Sequence, residues 1–444
     1  MSSTRSKATR LVKTLSDRGH EAYFAGGCVR DVLLNKTPKD FDIATDALPE
    51  QVKATFPHSK SVGAHFGVIL VHLDNDDFEI ATFRAEGNYT DGRHPSEVTF
   101  TTAREDAKRR DFTINGIFYN PITEEYIDFV DGQIDLNNKI IRAIGDPDER
   151  FAEDHLRLLR AIRFATTLNY KIEPLTWSAL KQHAGKITLI SEERIRDELS
   201  RIFTDPNRVR GLDLLVDSGL MKSLLPEFIA LQGCEQPPQF HPEGDVFVHT
   251  RLMLSHLPND ASLPLVLSVL LHDIGKPKTR TYDKAADRIR FNAHDRVGAQ
   301  MTERILRRLK FSNDIIATVS EAVASHMIFK DVQKMRVAKL KRFMARPGFD
   351  DELELHRVDC LGSHGMLDNL DFLREKKDEF ANEPLIPPPL VTGHDLIRLG
   401  WKPGPEIGLI LEEVQTRQLE GTLTTHEHAM AWINEHFSAS SSSA

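Results

Sequence analysis

The spacing of hydrophobic and polar positions changes near residue 147 of the 444-residue chain. Before that point, short apolar runs bounded by polar turns predict strands at residues 21–27 and 40–45. The polar turn DNDD joins two further runs, residues 65–73 and 78–84, as a predicted β-hairpin. From Pro147 onward the period is helical, and Pro147 with the acidic residues after it predicts a helix start. The pattern therefore predicts an α/β head with a mixed β-sheet, followed by an all-α remainder.

Breaks in the helical pattern divide that remainder. Polar stretches rich in proline interrupt it at residues 233–244 and 382–393, and a Ser-rich run ends the chain. A chain of this length is expected to form several cores. We expect segments with these bounds: a head at 1–140, a helical neck at 141–232, a second helical domain at 233–385, a C-terminal helical region at 386–437 and a disordered tail at 438–444.

Composition places the chain among soluble globular proteins. Hydrophobic residues make up 40% and charged residues 28%, and no run approaches the length of a membrane helix, so we expect no membrane partner. The basic N-terminus lacks the apolar core of a signal peptide. The scattered Cys28, Cys234 and Cys360 fit reduced thiols in a cytoplasmic protein. Oligomeric state is not encoded in any pattern we recognise.

One segment is strongly basic, although the whole chain has a net charge of -9. Residues 330–349 carry seven lysines and arginines, which suits contact with phosphates. A solvated helix face would have the same composition, and the sequence leaves both readings open.

Paired acidic residues in the head suggest a metal site. In a strand, Asp40 and Asp42 would face the same side, with Phe41 in the core. Two carboxylates so placed can hold a pair of Mg²⁺ ions, which support in-line displacement at a phosphate. Glu79, on a neighbouring predicted strand, would complete the set. A lone DxD is more often ordinary acidic surface, so the context of this one matters.

That context lies just upstream. Gly26 and Gly27 offer bare backbone amides at a predicted helix start, where a triphosphate can approach, and Arg30 adds positive charge. Either feature alone is weak, because a Gly-Gly pair is usually a turn. Together with the two aspartates, within residues 26–46, they predict a nucleotide site.

Three motifs in this order resemble the class II tRNA nucleotidyltransferases: GGCVRDVLLNKTPKDFDIATD (26–46), RRDFTINGIFYNP (109–121) and FAEDHLRLLRAIRFA (151–165). That superfamily contains CCA-adding enzymes, CC- and A-adding enzymes and bacterial poly(A) polymerases. The resemblance implies catalysis and metal binding by Asp40 and Asp42, a triphosphate site with Gly26, Gly27 and Arg30, ribose recognition by Arg110, Asp111 and Asn115, and nucleotide binding by Glu153, Asp154, Arg157 and Arg160. Where the family often has alanine, this chain has Gly116.

The third motif suggests how a base is chosen. Asp154 and Arg157 are three residues apart and would share one face of a helix. Cytosine and adenine both place an amino donor beside a ring-nitrogen acceptor, so a carboxylate and a guanidinium pair with either. Uracil and guanine present the reverse pattern. The alternative is an ordinary ion pair between Glu153 and Arg157, which are four residues apart.

Smaller features separate members of the superfamily. CC-adding members shorten the loop after the TFR strand, whereas residues 84–100 here look full length. Poly(A) polymerases carry a basic segment where residues 62–71 are apolar. The resemblance thus implies addition of C, C and A to tRNA ends from CTP and ATP, with A-only addition and polyadenylation as alternatives.

The helical half contains a second candidate site. A His-Asp pair with a distant His before it and a distant Asp after it resembles the ligand set of HD-superfamily metal phosphohydrolases. The candidate ligands are His249, His272, Asp273, His294, His326 and Asp359. Imidazoles and carboxylates together suit a divalent transition metal such as Mn²⁺, Ni²⁺ or Fe²⁺. The resemblance to CCA-adding enzymes that carry an HD domain implies that this chain has phosphatase and 2',3'-cyclic phosphodiesterase activities on RNA ends.

The C-terminal region, residues 391–423, resembles segments that hold the tRNA elbow by shape. His394 and Asp395 mimic an HD pair without flanking ligands, so we interpret them as structural. Two other classes remain as alternatives: an HD nucleotide phosphohydrolase with an inactive head, and an RNA-binding protein without catalysis. The complete ligand sets in both halves argue against each.

Overall fold

The computed structural model describes residues 3–62, 67–87, 98–239 and 241–437. Three segments named in the sequence analysis lie wholly or partly outside these residues. They are the tail at 438–444, most of the loop at 84–100, and residues 63–66 of the apolar stretch at 62–71.

Two compact units make up the described chain. The first comprises the residues up to Ala230 together with Pro258–Leu263 and Ile305–Phe311. The second comprises Leu231–Leu257, Pro264–Arg304 and the described residues from Ser312 onward.

The first unit begins with a mixed α/β head. Its strands are β1 Ala22–Ala25, β2 Ile43–Thr45, β3 Ser59–Ser61, β4 Val68–Leu73, β5 Asp76–Thr82, β6 Arg84–Glu86, β7 Val98–Phe100, β8 Ile117–Asn120 and β9 Glu125–Asp128. Its helices are α1 Thr4–Ser16, α2 Gly27–Leu33, α3 Pro49–Thr55, α4 Ala103–Lys108 and α5 Gly132–Asn138, with a 3₁₀ turn at Thr113–Asn115.

Seven strands form one sheet in the order β3-β4-β5-β2-β1-β8-β9, and β6 pairs separately with β7. Strands β2 and β5 run parallel, whereas the other neighbours in the sheet run antiparallel. The predicted hairpin is β4–β5, and its turn residues Asp74 and Asn75 both have positive φ, as a tight hairpin turn requires. Alternate residues of the central strands enter a core that includes Phe24, Ile43 and Ile80.

Strand β2 is shorter than the sequence predicted. It begins at Ile43, so Asp40 and Asp42 precede the strand instead of lying within it. The physical reason is its partner: β1 ends at Ala25, whose N–H donates to the Asp42 carbonyl at 3.0 Å, and the chain then turns away at Gly26. Phe41 is buried in the core, as expected.

The neck follows, with helices and two short strands. These are α6 Pro147–Glu153, α7 Leu156–Thr167, α8 Pro174–His183, α9 Glu192–Phe203, α10 Arg208–Asp217, α11 Leu220–Leu224, α12 Pro226–Ile229, a 3₁₀ segment at Ala184–Leu189, and the pair β10 Ile140–Ile141 with β11 Lys171–Ile172.

The single helix predicted from Pro147 is in fact two. Helix α6 ends at Glu153, and Asp154 has an extended backbone with φ −135°. Its side chain accepts a hydrogen bond from the Leu156 N–H at 3.0 Å, which favours a new helix start over continuation. Asp154 and Arg157 therefore do not share the face of one continuous helix.

The second unit is mostly helical. Its elements are α13 Val246–His256, α14 Leu263–Leu271, α15 Lys276–Thr279, β12 Arg280–Asp283, β13 Arg288–Phe291, α16 His294–Arg308, α17 Asn313–Ser325, a 3₁₀ segment at His326–Lys334, α18 Val337–Met344, α19 Phe349–Gly362, α20 Asp368–Glu379, α21 Gly393–Arg398, α22 Pro405–Leu419 and α23 His426–His436. The first residue of α14 and residues 305–308 of α16 belong to the first unit. The antiparallel hairpin β12–β13 departs from the all-α expectation. Among the described residues, no helix combines the length and apolar character that crossing a membrane requires.

One buried guanidinium in the first unit, that of Arg208, is 1% exposed. It donates to four backbone carbonyls: Phe203, Asp205, Pro258 and Asn259, at 3.0–3.2 Å. Removing the donor leaves buried acceptors without partners, which is costly.

We predict that Arg208→Ala lowers the free energy of unfolding of this unit by at least about 2 kcal/mol. The matched control is Arg201→Ala, because Arg201 is exposed on the nearby helix α9. Thermal or urea unfolding monitored by circular dichroism measures the difference. Equal stability of the two variants would show that the buried contacts contribute nothing.

Candidate active site and metal centre

Carboxylates gather at one end of the head sheet. Ile43 pairs with Ile80 across the parallel strands β2 and β5. The residues before them, Asp42 just before β2 and Glu79 within β5, are therefore neighbours. Loss of hydration raises the pKa of Asp42, and the charges of Asp40 and Glu79 raise it further, to about 6. The structure thus brings together the three carboxylates expected from the sequence. Their mutual repulsion is what a divalent cation would relieve.

A glycine turn borders these carboxylates. Gly26 has φ +73° and precedes α2, whose first residue is Gly27. A Cβ at Gly26 would lie 3.1 Å from Nη1 of Arg110, so both backbone angle and space favour glycine here. Nη2 of Arg110 forms an ion pair with Oδ2 of Asp106 at 2.9 Å. The positive charge of Arg110 lowers the pKa of Asp42, against the effects of burial and of the other carboxylates. Arg110 therefore lies beside both the glycine turn and the carboxylates.

A hydrogen-bonded chain links the remaining ribose-motif residues. Oδ1 of Asp111 accepts from the Asn115 amide at 3.0 Å, and Oδ1 of Asn115 accepts from Arg30 at 2.8 Å. On the other side, Nε of Arg160 donates to Oδ2 of Asp111 at 2.7 Å. Burial alone would raise the pKa of Asp111, but the Arg160 charge and the hydrogen bonds lower it to about 2. The side chain of Asp111 is therefore ionised at neutral pH.

Side-chain packing explains why this chain has glycine at position 116, where the family often has alanine. A Cβ there would meet Cγ2 of Val130 at 2.6 Å and Cδ1 of Ile144 at 3.2 Å. Alanine would fit only if these side chains moved.

The predicted base-reading residues are held by other partners in this structure. Arg157 is 7% exposed, and its Nη1 donates to Glu153 at 2.6 Å. Further bonds run from Arg157 to the carbonyls of Arg150 and Arg109, at 3.0 and 3.1 Å. Asp154 instead contacts Arg194, at 3.3 Å. The Glu153–Arg157 ion pair that the sequence left as an alternative is thus present.

The sequence did not reveal that the ring of Phe164, in the neck, lies close to three arginine side chains. The guanidinium carbons of Arg30, Arg160 and Arg163 lie 5.2, 5.3 and 4.0 Å from the ring centroid of Phe164. Phe164 follows Arg157 by seven residues on helix α7, a spacing that places both on one face and could have revealed it.

The second candidate site is a cluster of imidazoles and carboxylates in the second unit. Nε2 of His249 lies 3.1 Å from Oδ1 of Asp359, and Nε2 of His272 lies 3.0 Å from Oδ2 of Asp273. Nε2 of His294 lies 3.2 Å from Nε2 of His326 and 3.4 Å from Oδ1 of Asp273. All six candidate ligands therefore converge.

The hydrogen bonds behind the cluster orient the imidazoles. Nδ1 of three rings lies at a backbone carbonyl, which can only accept, so Nδ1 carries the proton and Nε2 presents its lone pair to the cluster. These rings and carbonyls are His272 with Val269 at 2.8 Å, His294 with Phe291 at 2.7 Å, and His326 with Val323 at 2.7 Å.

Unsatisfied atoms face the same point. Among the described residues, Nε2 of His249, Nε2 of His272 and Oδ1 of Asp273 are buried and form no well-aligned hydrogen bond, although both imidazole nitrogens lie close to a carboxylate. Burial lowers the pKa of His326 to about 4, so that ring is neutral and able to ligate. These residues fit a divalent metal ion.

Residues outside the predicted set complete the site. Oε1 of Glu243 lies 2.8 Å from Nδ1 of His249, the carboxylate–histidine arrangement that orients a metal ligand. Burial alone would lower the pKa of His249, but Asp359 and Glu243 raise it to about 9, so a metal ion bound by His249 would displace a proton. Lys276 contacts Asp273 at 2.6 Å. No sequence spacing marks Glu243, because it lies in an irregular segment before α13.

A cavity of about 550 Å³ opens onto this cluster. Ligand residues Asp273, His294, His326 and Asp359 line it, together with the basic residues Lys276, Arg288, Arg290 and Lys330. His394 and Asp395 take no part: Asp395 caps helix α21 through Thr392, at 2.7 Å.

Three known families match successive parts of the chain. The Poly A polymerase head domain matches residues 22–142, and the probable RNA and SrmB-binding site of polymerase A matches residues 169–231. The HD domain matches residues 246–358, which ends one residue before Asp359. The base-reading candidates at 153–160 lie between the first two matches.

Individual relatives extend the match to the whole chain. A CCA-adding enzyme of Levilactobacillus brevis is 32% identical over 426 residues, covering 95% of this chain and 96% of the relative. One of Enterococcus faecalis is 44% identical over 213 residues, 48% of this chain and 52% of the relative. The Bacillus stearothermophilus CCA-adding enzyme in complex with CTP shares 25% identity with a TM-score of 0.75, and 98% of each chain is covered. This chain therefore belongs to the CCA-adding enzymes, the tRNA nucleotidyltransferases that build the CCA end of tRNA.

Proposed function

We propose that the head and neck of this chain add C, C and A to tRNA 3' ends from CTP and ATP, without a nucleic-acid template and with release of pyrophosphate. The observation that carries the proposal is the proximity of Asp42 to Asp40, Glu79 and Arg110, with Arg110 beside the Gly26 turn. In this division of labour the segment 1–140 performs the transfer and 141–232 selects the nucleotide.

The chemistry rests on the carboxylates. Asp40, Asp42 and Glu79 would hold two Mg²⁺ ions, which when bound activate the attacking hydroxyl and stabilise the leaving oxygen. The amides of Gly26 and Gly27 and the charge of Arg30 would bind the triphosphate.

Ribose recognition falls to the second motif. Arg110, Asp111 and Asn115 would position the sugar. The bonds from Arg160 and Asn115 to Asp111 keep that carboxylate ionised and fixed before substrate arrives. A preorganised carboxylate aligns the nucleotide without reorganising during the reaction.

Base selection falls to the neck. Asp154 would accept from the amino group of cytosine or adenine, and Arg157 would donate to the adjacent ring nitrogen. In this structure the guanidinium of Arg157 donates a hydrogen bond to Glu153, so an incoming base would have to compete with Glu153 for it. Arg160 supports the site through Asp111.

The HD centre would hydrolyse phosphate esters. His249, His272, Asp273 and Asp359 would bind one divalent ion, and His294 with His326 would support a second. The imidazole-rich set favours Mn²⁺, Ni²⁺ or Fe²⁺ over Mg²⁺. We assign this activity, including cleavage of 2',3'-cyclic phosphates on RNA ends, to residues 233–385, and contact with the tRNA elbow to residues 386–437.

Incubation of the protein with tRNA lacking its 3' end, labelled CTP and labelled ATP tests the function. We expect both nucleotides to be incorporated. Incorporation of A alone, or a long A tail, would establish one of the alternatives, and no incorporation would leave only the hydrolase. The similarity to CCA-adding relatives favours the first outcome.

For the third carboxylate, we predict that Glu79→Gln lowers kcat of C addition by about a hundredfold or more, because a neutral amide binds Mg²⁺ far more weakly. Asp77→Asn is the matched control: Asp77 lies two residues away on β5 and pairs with the exposed His72 at 2.9 Å. Single-turnover extension of tRNA measures both. Equal rates for the two variants would remove Glu79 from the mechanism.

For the base reader, we predict that Asp154→Ala lowers the preference for CTP over UTP by about tenfold or more, the discrimination expected of one base contact. Glu149→Ala controls for the loss of an acidic residue, since Glu149 is exposed in the first turn of α6. Ratios of kcat/KM for the two nucleotides give the result. An unchanged preference in Asp154→Ala would assign base choice to other residues.

For the HD centre, we predict that the protein binds Mn²⁺ or Ni²⁺ and hydrolyses 2',3'-cyclic AMP, and that His272→Ala loses both properties. His394→Ala, which alters the structural His-Asp pair, should lose neither. Metal content and hydrolysis are measured on the same samples. Turnover that survives in His272→Ala, or none with any of Mn²⁺, Ni²⁺ and Co²⁺, would contradict the assignment.

A further inference from the structure

The basic segment at 330–349 separates into two groups in the structure. Three of its seven basic residues are engaged in packing. Arg342 donates to Oγ1 of Thr416 at 3.0 Å, Nζ of Lys341 lies 4.9 Å from the ring centroid of Phe380, and Arg346 donates to Ser325 at 2.8 Å. These three side chains have structural partners.

The other four are exposed and face one groove. This basic groove has a volume of about 560 Å³ and is lined by Lys330, Lys334, Arg336 and Lys339, with the apolar Met327, Ile328 and Met335 and the acidic Asp295 and Asp331. Lys334 pairs with Asp331 at 2.8 Å. Within the described part of the chain, Lys330, Arg336 and Lys339 form no ion pair. The groove therefore keeps a net positive charge that its own residues do not neutralise.

The basic groove borders the cavity at the HD centre. Met327 and Lys330 line both. The residue before Met327 is the candidate ligand His326, so the groove begins directly beside the metal-binding cluster. Arg288 and Arg290 extend the positive surface on the cavity side. A ligand that follows the positive charge would run from the groove to the cluster.

The chemistry of the lining identifies the ligand class. Cations spaced along a groove match the repeating phosphates of a nucleic-acid strand. Met327, Ile328 and Met335 offer apolar contact to bases without hydrogen-bond readout. A free mononucleotide has a single phosphate group beside its base and would fit in the cavity alone, without contacting Arg336 or Lys339.

We propose that the basic groove binds the backbone of a single-stranded RNA end, whose terminal phosphate then lies in the cavity of the HD centre. This inference rests on the phosphoesterase proposed for that centre and adds the surface that would hold the strand of its RNA substrate. Binding is led by phosphates and is therefore independent of sequence and sensitive to salt.

The test compares two substrates in the full-length protein: 2',3'-cyclic AMP, and an oligoribonucleotide of about eight nucleotides ending in a 2',3'-cyclic phosphate. The variant is Arg336→Glu with Lys339→Glu, neither of which lines the cavity of the HD centre. We expect kcat/KM for the oligoribonucleotide to fall about tenfold or more, and kcat/KM for cyclic AMP to stay within about twofold. The charge-matched control, Arg374→Glu with Lys377→Glu on the exposed face of α20, should alter neither.

A second readout does not depend on hydrolysis. An oligoribonucleotide carrying 4-thiouridine is photo-crosslinked to the protein, and the modified peptides are identified by mass spectrometry. We expect crosslinks within residues 327–339, lost in the double variant. Crosslinks confined to residues 1–230, or equal effects of the variant on both substrates, would overturn the groove proposal. Absence of any hydrolysis would refute the phosphoesterase, while the crosslinks would still decide whether the groove binds RNA.

Discussion

The nucleotide site depends on one buried carboxylate, that of Asp111. It accepts hydrogen bonds from Arg160 on the neck helix α7, from Asn115 and from the N–H of Phe112. Leaving such a charge without one of its partners costs about 3–5 kcal/mol, so head and neck positions are fixed together. The second motif therefore fixes the helix that carries Arg157 and, in the function that we propose, also offers polar groups to a ribose. In that proposal, transfer and base choice are coupled through the Asp111–Arg160 pair.

Both candidate centres concentrate groups that repel or remain unsatisfied until a cation is present. In the head, neighbouring carboxylates raise the pKa of Asp42 to about 6. In the HD centre, imidazole nitrogens and an oxygen of Asp273 are buried without well-aligned hydrogen bonds. Such arrangements reduce stability, and the rest of each unit must compensate for them. Their persistence in both units agrees with dependence on divalent metal, which the nucleotidyltransferase and HD families imply.

Much of this was accessible from sequence, because local rules and side-chain chemistry determine it. Alternation predicted the hairpin that carries Glu79, and the order of histidines and aspartates predicted which residues cluster in the HD centre. The sequence did not predict the break at Asp154, because helical periodicity continues through it and only the side-chain bond to Leu156 reveals the new start.

Partners brought together by tertiary packing were also missed. Glu243 lies in an irregular segment, and its contact with His249 depends on the folded chain. The two roles within residues 330–349 depend on which lysines and arginines meet Thr416 and Phe380. Composition alone treats all seven as equivalent, and only the fold separates them.

The most direct test of the account is a crystal structure of the protein with CTP and Mn²⁺. We expect anomalous scattering from Mn²⁺ between Asp40 and Asp42, the triphosphate at the Gly26 turn, and the Watson–Crick edge of cytosine against Asp154 and Arg157, with the Glu153–Arg157 contact opened. Absence of Mn²⁺ from Asp40 and Asp42, or cytosine contacting only head residues, would contradict the claim that head and neck build one site.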